Sequence, residues 1–421
     1  MPLRLPLHHI LDNPLLRTRP MTKTSELSRR DFLAATAVGF VACARSSQTL
    51  SRAQESQPDD SLLYIGTYTE GTRSEGIYLI RMDRRSGKLR RVGSVDAGAN
   101  PSFLTIHPNG RVLYAVNEVD THNGKPTGAV SAFAIASNTG ALTRLNEQRS
   151  EGGAPCFVSV DRSGRVVLVA NYNGGSVALL PIQSDGALAP ATKVVQHTGA
   201  GPNTERQAAA HAHCILADPS NRFALAADLG ADRVFVYRLD LDDKSVRHVE
   251  GGDAVMRPGA GPRHIAYHPT LPLVFVANEL DSTVATLRFD AERGALSLVD
   301  SHSTIPSGWS GTNYPADIHV APSGRALYVS NRGHNSIAVF SVAESTGALT
   351  LDQVISTEGD WPRNFTLDPT GRWLLVANQR SDSVIVFARD PKTGRLTLTR
   401  ERIALPSPVC LRFHGEWGHV N

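Results

Sequence analysis

The chain has 421 residues, of which 41% are hydrophobic and 6% aromatic, and its formal net charge is +3. So small a basic excess, with no dense basic stripe between aromatic residues, argues against a nucleic-acid-binding protein. The four cysteines form no CxxC motif and no Cys/His spacing typical of zinc, so neither a disulfide framework nor a zinc site is predicted.

Residues 1–60 are predicted to be a targeting signal and a disordered linker. The motif SRRDFL at residues 28–33 precedes an apolar, small-residue segment over residues 34–42, which is too short to span a bilayer. This pattern resembles a twin-arginine export signal and therefore predicts export by the twin-arginine machinery to the periplasm. Simple cleavage is favoured over a lipid anchor at Cys43, because Phe stands where a lipobox usually has Leu. Residues 46–60 are polar, as is typical of a linker.

From residue 61 onward the chain repeats one pattern of short strands. In six repeats an apolar second strand ends in Asn or Asp, whereas the first has Thr67 there, and the six copies are separated by 54, 57, 50, 53 and 47 residues. A period near 50 with several strands per unit is typical of a β-propeller, in which each unit forms one blade. We expect the recurrent side chain to close its turn through a hydrogen bond to the backbone. The recurrent residues are Asn117, Asn171, Asp228, Asn278, Asn331 and Asn378.

The two ends of the repeat region complement each other. Residues 62–68 match a second strand but follow no first strand, whereas residues 408–413 match a first strand with nothing after it. Their pairing would complete a seventh blade and leave no open sheet edge. The sequence therefore predicts an all-β fold: one seven-bladed β-propeller domain over residues 61–421, closed by pairing of the C-terminal strand with the N-terminal strands.

The first strand of each blade should line the central channel, with ligands bound at one mouth. Equivalent positions of different blades then form rings around that mouth. One arc of these rings carries ionisable side chains where the opposite arc carries Phe, Cys, Val and Leu, which a purely structural channel does not require. The alternative is that these charges are solvated rim residues paired as salt bridges. The polar arc comprises His213, Arg263, His264, Glu279, Asp317, Arg332 and Arg363.

Other histidines and motifs of the sequence offer less support for chemistry. His211 and His213 alternate along a strand and so point to one face, but no third ligand at a suitable spacing is evident, and no metal or other cofactor is predicted. His107 and His268 stand directly before turn prolines and are expected to be structural. The sequence contains neither a GxSxG elbow nor a P-loop, so a covalent serine mechanism and a nucleotide substrate have little support.

Four segments resemble the bacterial seven-bladed propeller lactonases, that is, the propeller-type 6-phosphogluconolactonases and the related fungal carboxymuconate-lactonizing enzyme. They are AHAHCILADPSNRFALAADLGADRVFVYRLD, GPRHIAYHPTLPLVFVANELDSTV, IHVAPSGRALYVSNRGHNSIAVF and WPRNFTLDPTGRWLLVANQRSDSVIVF, and the resemblance extends over residues 61–413. It implies a lactonase that needs no cofactor. Phe157 stands where the family leads us to expect His, and Asp317 where Glu is expected. The active-site residues that the resemblance implies are His213, Arg263, Glu279 and Arg332.

These residues predict hydrolysis of a small-molecule sugar lactone by a base-activated water. Glu279, or with less support His213, is the predicted general base. Arg263 and Arg332 would hold the carbonyl oxygen and an acidic substituent of the substrate. Further substrate contacts are predicted for Glu118, His264, Asp317 and Arg363.

The predicted export signal leaves the substrate open. Phosphorylated pentose-pathway intermediates are cytoplasmic, so an unphosphorylated aldonolactone is at least as well supported as a 6-phosphogluconolactone. Two alternatives remain: a muconate-type cycloisomerase that uses the same basic arc for carboxylates, and a non-catalytic propeller that binds a ligand without turnover.

Overall fold

The computed structural model describes residues 59–415. The predicted twin-arginine signal, Cys43 and nearly all of the predicted linker lie outside those residues. The first strand begins at Asp60, the last residue assigned to that linker. Within residues 59–415 the chain forms 29 strands and one 3-10 turn, at Gln379–Ser381, and it contains no helix long and apolar enough to cross a membrane.

The strands form seven antiparallel sheets, as the repeat predicts. From the inner to the outer strand, blade 1 is β29 (Pro408–Phe413), β1 (Asp60–Thr67), β2 (Ile77–Asp83) and β3 (Leu89–Val95). Blade 2 is β4 (Leu104–Ile106), β5 (Val112–Asn117), β6 (Ala129–Ile135) and β7 (Leu142–Arg149). Blade 3 is β8 (Pro155–Val160), β9 (Val166–Asn171), β10 (Ser176–Pro181) and β11 (Lys193–Gln196).

The other four blades follow in chain order. Blade 4 is β12 (Ala212–Ala217), β13 (Phe223–Asp228), β14 (Arg233–Asp240) and β15 (Ser245–His248), with β16 (Ala254–Val255) also paired to β14. Blade 5 is β17 (Pro262–Tyr267), β18 (Leu273–Asn278), β19 (Thr283–Asp290) and β20 (Ala295–Ser303). Blade 6 is β21 (Tyr314–Val320), β22 (Ala326–Arg332), β23 (Ser336–Val342) and β24 (Leu349–Ser356). Blade 7 is β25 (Pro362–Leu367), β26 (Trp373–Asn378), β27 (Ser383–Arg389) and β28 (Leu396–Ala404).

The inner strands form a ring around the channel. Each contacts the inner strand of the next blade, and β29 contacts both β25 and β4. Within blade 1, β29 pairs antiparallel with β1, and Ile65 lies opposite Leu411. The prediction of a seven-bladed β-propeller is confirmed.

Burial explains why the second strands are nearly continuous apolar runs. Runs such as VVLVAN in β9 and LVFVAN in β18 are buried at every residue, because a neighbouring blade packs on each face. The outermost strands, such as β20, are mostly exposed. Apolar continuity therefore marks the strands sandwiched between blades.

At four of the six recurrent positions, Asn117, Asn171, Asn331 and Asn378, the side chain bonds to the backbone, but not within its own turn. Nδ2 of Asn331 donates to the carbonyl of Thr304 at 2.8 Å, and Nδ2 of Asn378 donates to that of Thr357 at 3.1 Å. Both acceptors lie on the connection that arrives from the preceding blade. At these four positions the predicted backbone bond is present but ties successive blades together instead of closing the turn. Asp228 does close its own turn, because its Oδ1 accepts from the N–H of Ala231 at 2.9 Å, and Asn278 bonds to the hydroxyl of Thr283.

The two histidines predicted to be structural also join neighbouring blades. Nε2 of His107 lies 3.0 Å from the carbonyl oxygen of Gly164, and Nε2 of His268 lies 3.1 Å from that of Gly324. Each contact links the first turn of one blade to the same turn of the next.

A β-bulge near the start of the inner strands positions the site. The pairing register shifts between Pro155 and Phe157, between Ala212 and Cys214, between Pro262 and His264, and between Pro362 and Asn364. A bulge leaves one residue unpaired and re-aims its side chain. The residues so placed are Cys156, His213, Arg263 and Arg363.

Candidate active site

The centre of the site is the carboxylate of Glu279, which directly follows β18. Oε2 lies 3.0 Å from Nε of Arg263 and 2.7 Å from Nη2 of Arg332, and Oε1 lies 2.6 Å from Nη2 of Arg206. Glu279 is 3% exposed. Burial alone would raise the pKa of this carboxyl group, but the charges of Arg332, Arg263 and Arg206 outweigh it and hold the pKa far below its ordinary value. Glu279 is therefore a permanent anion at neutral pH.

A chain of hydrogen bonds leads from Arg263 into the channel wall. Nη1 of Arg263 lies 3.1 Å from Nε2 of His264, Nδ1 of His264 lies 2.8 Å from Oδ1 of Asp317, and Oδ2 of Asp317 lies 2.9 Å from Nε2 of His319. Burial, followed by the charge of Arg263, lowers the pKa of His264 to about 3. The imidazole is thus neutral, and it donates from Nδ1 to Asp317 and accepts from Arg263 at Nε2.

Both oxygens of the Asp317 carboxylate accept hydrogen bonds within the channel wall. Besides the two histidines, the side-chain amide of Asn364 and the backbone N–H of Phe365 donate to Oδ2. Burial opposes ionisation, but His319 and His264 outweigh it and hold the pKa of Asp317 well below its ordinary value. Asp317 anchors the channel wall through these bonds.

His213 lies beside this group on the bulge of β12. Its ring makes edge contacts with Tyr172 and His264, with centroids 5.4 Å away in both cases, and its Nδ1 is 3.5 Å from Sγ of Cys156. No side chain among residues 59–415 hydrogen-bonds to its Nε2. Burial, followed by Arg263 and His264, lowers the pKa of His213 well below its ordinary value, so the ring is neutral.

The thiol of Cys156 completes this corner of the site. Burial, followed by the charge of Glu118, raises the pKa of Cys156 well above its ordinary value. A protonated, buried thiol is a poor nucleophile, so the pair of Cys156 and His213 is unsuited to covalent thiol catalysis.

A second group lies on blades 1, 2 and 7. The phenol of Tyr68 donates to Glu118 at 2.9 Å, and the hydroxyl of Ser102 donates to the same carboxylate. Nη2 of Arg363 is 3.9 Å from Oε1 of Glu118, and its guanidinium lies 5.3 Å from the centroid of the Tyr68 ring. Arg363 keeps 16% of its side chain exposed.

The structure thus joins six of the eight predicted site residues in one contiguous group and puts the other two, Glu118 and Arg363, in a separate pair. The sequence reasoning missed Arg206, which lies on the connection between β11 and β12. Arg206 bonds to Glu279 and to the phenol of Tyr172, and it lies 5.8 Å from the centroid of Tyr314. The only signal for this connection was the longest repeat spacing, 57 residues.

Two further observations concern the described part of the channel. Residues 59–415 contain no group of three or more His, Cys, Asp or Glu side chains that could hold a metal ion. A separate cavity at the opposite end of the channel is lined by Arg162, His319 and Arg412 and by no Asp or Glu. This cavity therefore lacks the pairing of a carboxylate with arginines that is found at Glu279.

The sequence was also compared with protein families and with known proteins. The chain matches a protein-family model described as "Lactonase, 7-bladed beta-propeller" over residues 62–413. It is 39% identical over 350 residues to the 6-phosphogluconolactonase of Bacillus subtilis strain 168, which covers 83% of this chain and 97% of that relative. It is 34% identical over 316 residues to a 6-phosphogluconolactonase of Formosa agariphila, which covers 72% of this chain and 85% of that relative.

Among solved structures, the chain is similar to the periplasmic gluconolactonase of Pseudomonas aeruginosa. The TM-score is 0.79 at 34% identity, over 86% of this chain and 100% of that chain. A protein from Lactobacillus plantarum is similar to the same degree, with a TM-score of 0.78 and 36% identity over 84% of this chain and 99% of that one.

Proposed function

Because the chain belongs to the seven-bladed β-propeller lactonase family, we propose that it hydrolyses a sugar lactone at Glu279 and its surrounding arginines. One observation carries the proposal. Nη2 of Arg263 and Nη1 of Arg332 have no hydrogen-bond acceptor among residues 59–415. Nη1 of Arg263 and the Nε and Nη2 of Arg332 contact His264, Glu279 or backbone carbonyls, and Nε of Arg263 makes an ion-pair contact with Glu279 at 3.0 Å without hydrogen-bond geometry. Two fixed donors of this kind would stabilise the negative charge that develops on the lactone carbonyl oxygen.

The geometry favours His213 over Glu279 as the general base, which reverses the preference drawn from the sequence. Both carboxylate oxygens of Glu279 are engaged by arginines, so neither is free to take a proton from a water. His213 is neutral, and its Nε2 has no hydrogen-bond partner among residues 59–415. We assign the water-activating role to Nε2 of His213, and we assign to Glu279 the role of fixing the three guanidiniums.

The remaining predicted residues receive different roles. His264 and Asp317 position Arg263, because their hydrogen bonds leave no free acceptor for a substrate. Arg363 is partly exposed and is paired with Glu118 only at 3.9 Å, so we assign it to an acidic or hydroxyl substituent of the substrate. Glu118 orients Arg363 together with Tyr68.

We further propose that the protein is exported and acts on an unphosphorylated aldonolactone. The sequence SRRDFL at residues 28–33 and the similarity to a periplasmic gluconolactonase support this proposal. The B. subtilis relative is named for a phosphorylated lactone, so the phosphate group is the feature to test.

The test is a pH-indicator assay of the purified mature protein with gluconolactone, its 6-phosphate and a muconolactone. We expect a higher kcat/KM for gluconolactone than for the other two. Preference for the phosphate ester would overturn the proposed substrate, and preference for muconolactone would favour the cycloisomerase alternative. Turnover of none, with thermal stabilisation by one, would show a binding module.

The variant Arg263→Lys tests whether Arg263 donates to the lactone carbonyl oxygen, and a control variant shows the effect of an arginine substitution elsewhere. Arg263→Lys keeps a positive charge but has no Nη2, so kcat should fall by roughly 10²-fold, as for loss of one donor to the oxyanion. Arg257→Lys, at an exposed arginine paired with Asp281, is the matched control and should leave kcat unchanged. An Arg263→Lys enzyme with wild-type kcat would refute the assignment.

A further inference from the structure

In six of the seven blades a proline stands at or near the start of the inner strand, namely Pro101, Pro155, Pro262, Pro315, Pro362 and Pro408. The residue before this proline has a positive φ in five of those six blades. The angle lies between 43° and 67° in every case. Four of these residues are Asn, Ala, Gly or Ser, which are small, and the remaining one, in blade 7, is tryptophan. The five are Asn100, Ala154, Gly261, Trp361 and Ser407.

Hydrogen bonds of the backbone hold residue 361 at this positive φ, and they do not require the side chain to be tryptophan. The N–H of Trp361 donates to Oδ1 of Asn335 at 2.9 Å, and its carbonyl accepts from the N–H of Gln379 at 3.0 Å. A bulky side chain at φ of 67° is a strained choice, and such strain tends to persist where a site requires it.

Packing in the protein interior does not account for the indole either. Trp361 is only partly buried, and it belongs to none of the buried apolar clusters formed by residues 59–415. Its neighbours are instead polar or aromatic residues of the channel mouth. The guanidinium of Arg380 lies 3.5 Å from its ring centroid, that of Arg332 lies 5.5 Å away, and the ring of Tyr314 lies 6.1 Å away.

We propose that Trp361 contacts the substrate and determines specificity, by packing its indole against the ring of the bound lactone. The same Arg332 that touches the indole binds Glu279 at 2.7 Å, so the indole is one side chain away from the centre of the site. Arg380 covers one face of the indole, and the lactone would meet the rest of it beside Arg332. An aromatic ring packs well against the C–H groups of a sugar ring, and it adds shape selection to a site otherwise built of charges. This proposal rests on the proposed lactonase function.

The test is Trp361→Gly, with Ser407→Gly as the matched control at the same repeat position in blade 1. Glycine suits a positive φ, so both variants should fold, and their unfolding transitions check this. We expect Trp361→Gly to raise KM for gluconolactone by roughly three- to tenfold, the range of one aromatic contact, while kcat changes less. Trp361→Phe should recover part of the loss, and Ser407→Gly should leave both constants unchanged.

Two outcomes would overturn the inference. One is a Trp361→Gly enzyme whose KM stays within twofold of the wild-type value. The other is an equal rise of KM in Ser407→Gly, which would assign the effect to the backbone. If the wild type hydrolyses no lactone, the proposed function fails, and the same variants are then compared by calorimetric titration with gluconate. Equal gluconate affinity of wild type and Trp361→Gly would then overturn the role of Trp361.

Discussion

Three guanidiniums meet at the carboxylate of Glu279, and each of them needs that negative charge. Arg263 and Arg332 are almost completely buried, so without Glu279 their charges would face each other with little water between them. Glu279→Gln should therefore destabilise the fold by about 3–5 kcal/mol and reduce kcat, because the arginines lose their fixed geometry. Thermal and denaturant unfolding of this variant, beside a kcat measurement, checks both effects. Lost activity with unchanged stability would instead favour Glu279 as the base.

If His213 is the general base, its protonation should appear in the dependence of kcat/KM on pH. The imidazole must be neutral to accept a proton, and its pKa lies well below 6.5 because of burial, Arg263 and His264. As the pH falls, kcat/KM should thus stay constant through pH 6.5 and decline only at more acidic pH, with a slope of one. His213→Gln should lose most activity and also this acidic limb. A limb centred at or above pH 6.5 would contradict the assignment of His213.

At the scale of elements, residues 197–211 connect β11 to β12 and act as a strap over the channel mouth. His197 ties one end to Asp228 at 2.7 Å, and buried Gln207 ties the other end to the carbonyl of Leu229 at 2.8 Å. Arg206 lies next to the second tie and reaches Glu279. The strap therefore brings a third positive charge to a site that the repeat alone supplies with two.

Removing the charge of the strap should affect binding more than folding. The side chain of Arg206 is 34% exposed, so Arg206→Ala should change the free energy of unfolding by less than about 1 kcal/mol. KM for an aldonolactone should rise while kcat changes little, because Arg263 and Arg332 still hold Glu279. Steady-state kinetics check this, with Arg149→Ala as the control, since that exposed arginine pairs with Glu151 on another surface. A fall in kcat at constant KM would instead give Arg206 a direct role in catalysis.

At the scale of the whole molecule, the repeat made the fold and the family predictable, and the match over residues 62–413 confirms both. Apolar runs at a fixed period specify the blades because the same packing recurs seven times. Arg206 and Trp361 could not be identified in that way. Arg206 lies outside the repeat, and the importance of Trp361 depends on a backbone angle that no side-chain pattern records. The hydrogen bonds that engage Asp317 likewise depend on three strands meeting in space.

The closing strand carries the last prediction, because β29 is the inner strand of blade 1 and comes from the far end of the chain. Leu411 on β29 is fully buried, pairs with Ile65 and donates its N–H to Asn364 at 2.7 Å. Leu411→Ala should therefore cost about 2–5 kcal/mol. Leu398→Ala, at a leucine 38% exposed on the outer strand β28, should cost less than about 1 kcal/mol.

Denaturant unfolding followed by circular dichroism compares the two variants. If the closing strand completes the ring, Leu411→Ala should lower the midpoint of one cooperative transition, since opening one blade uncovers the apolar faces of its two neighbours. Equal midpoints for the two variants would mean that β29 adds no more to stability than a surface strand, and the ring would then be held without its closing strand.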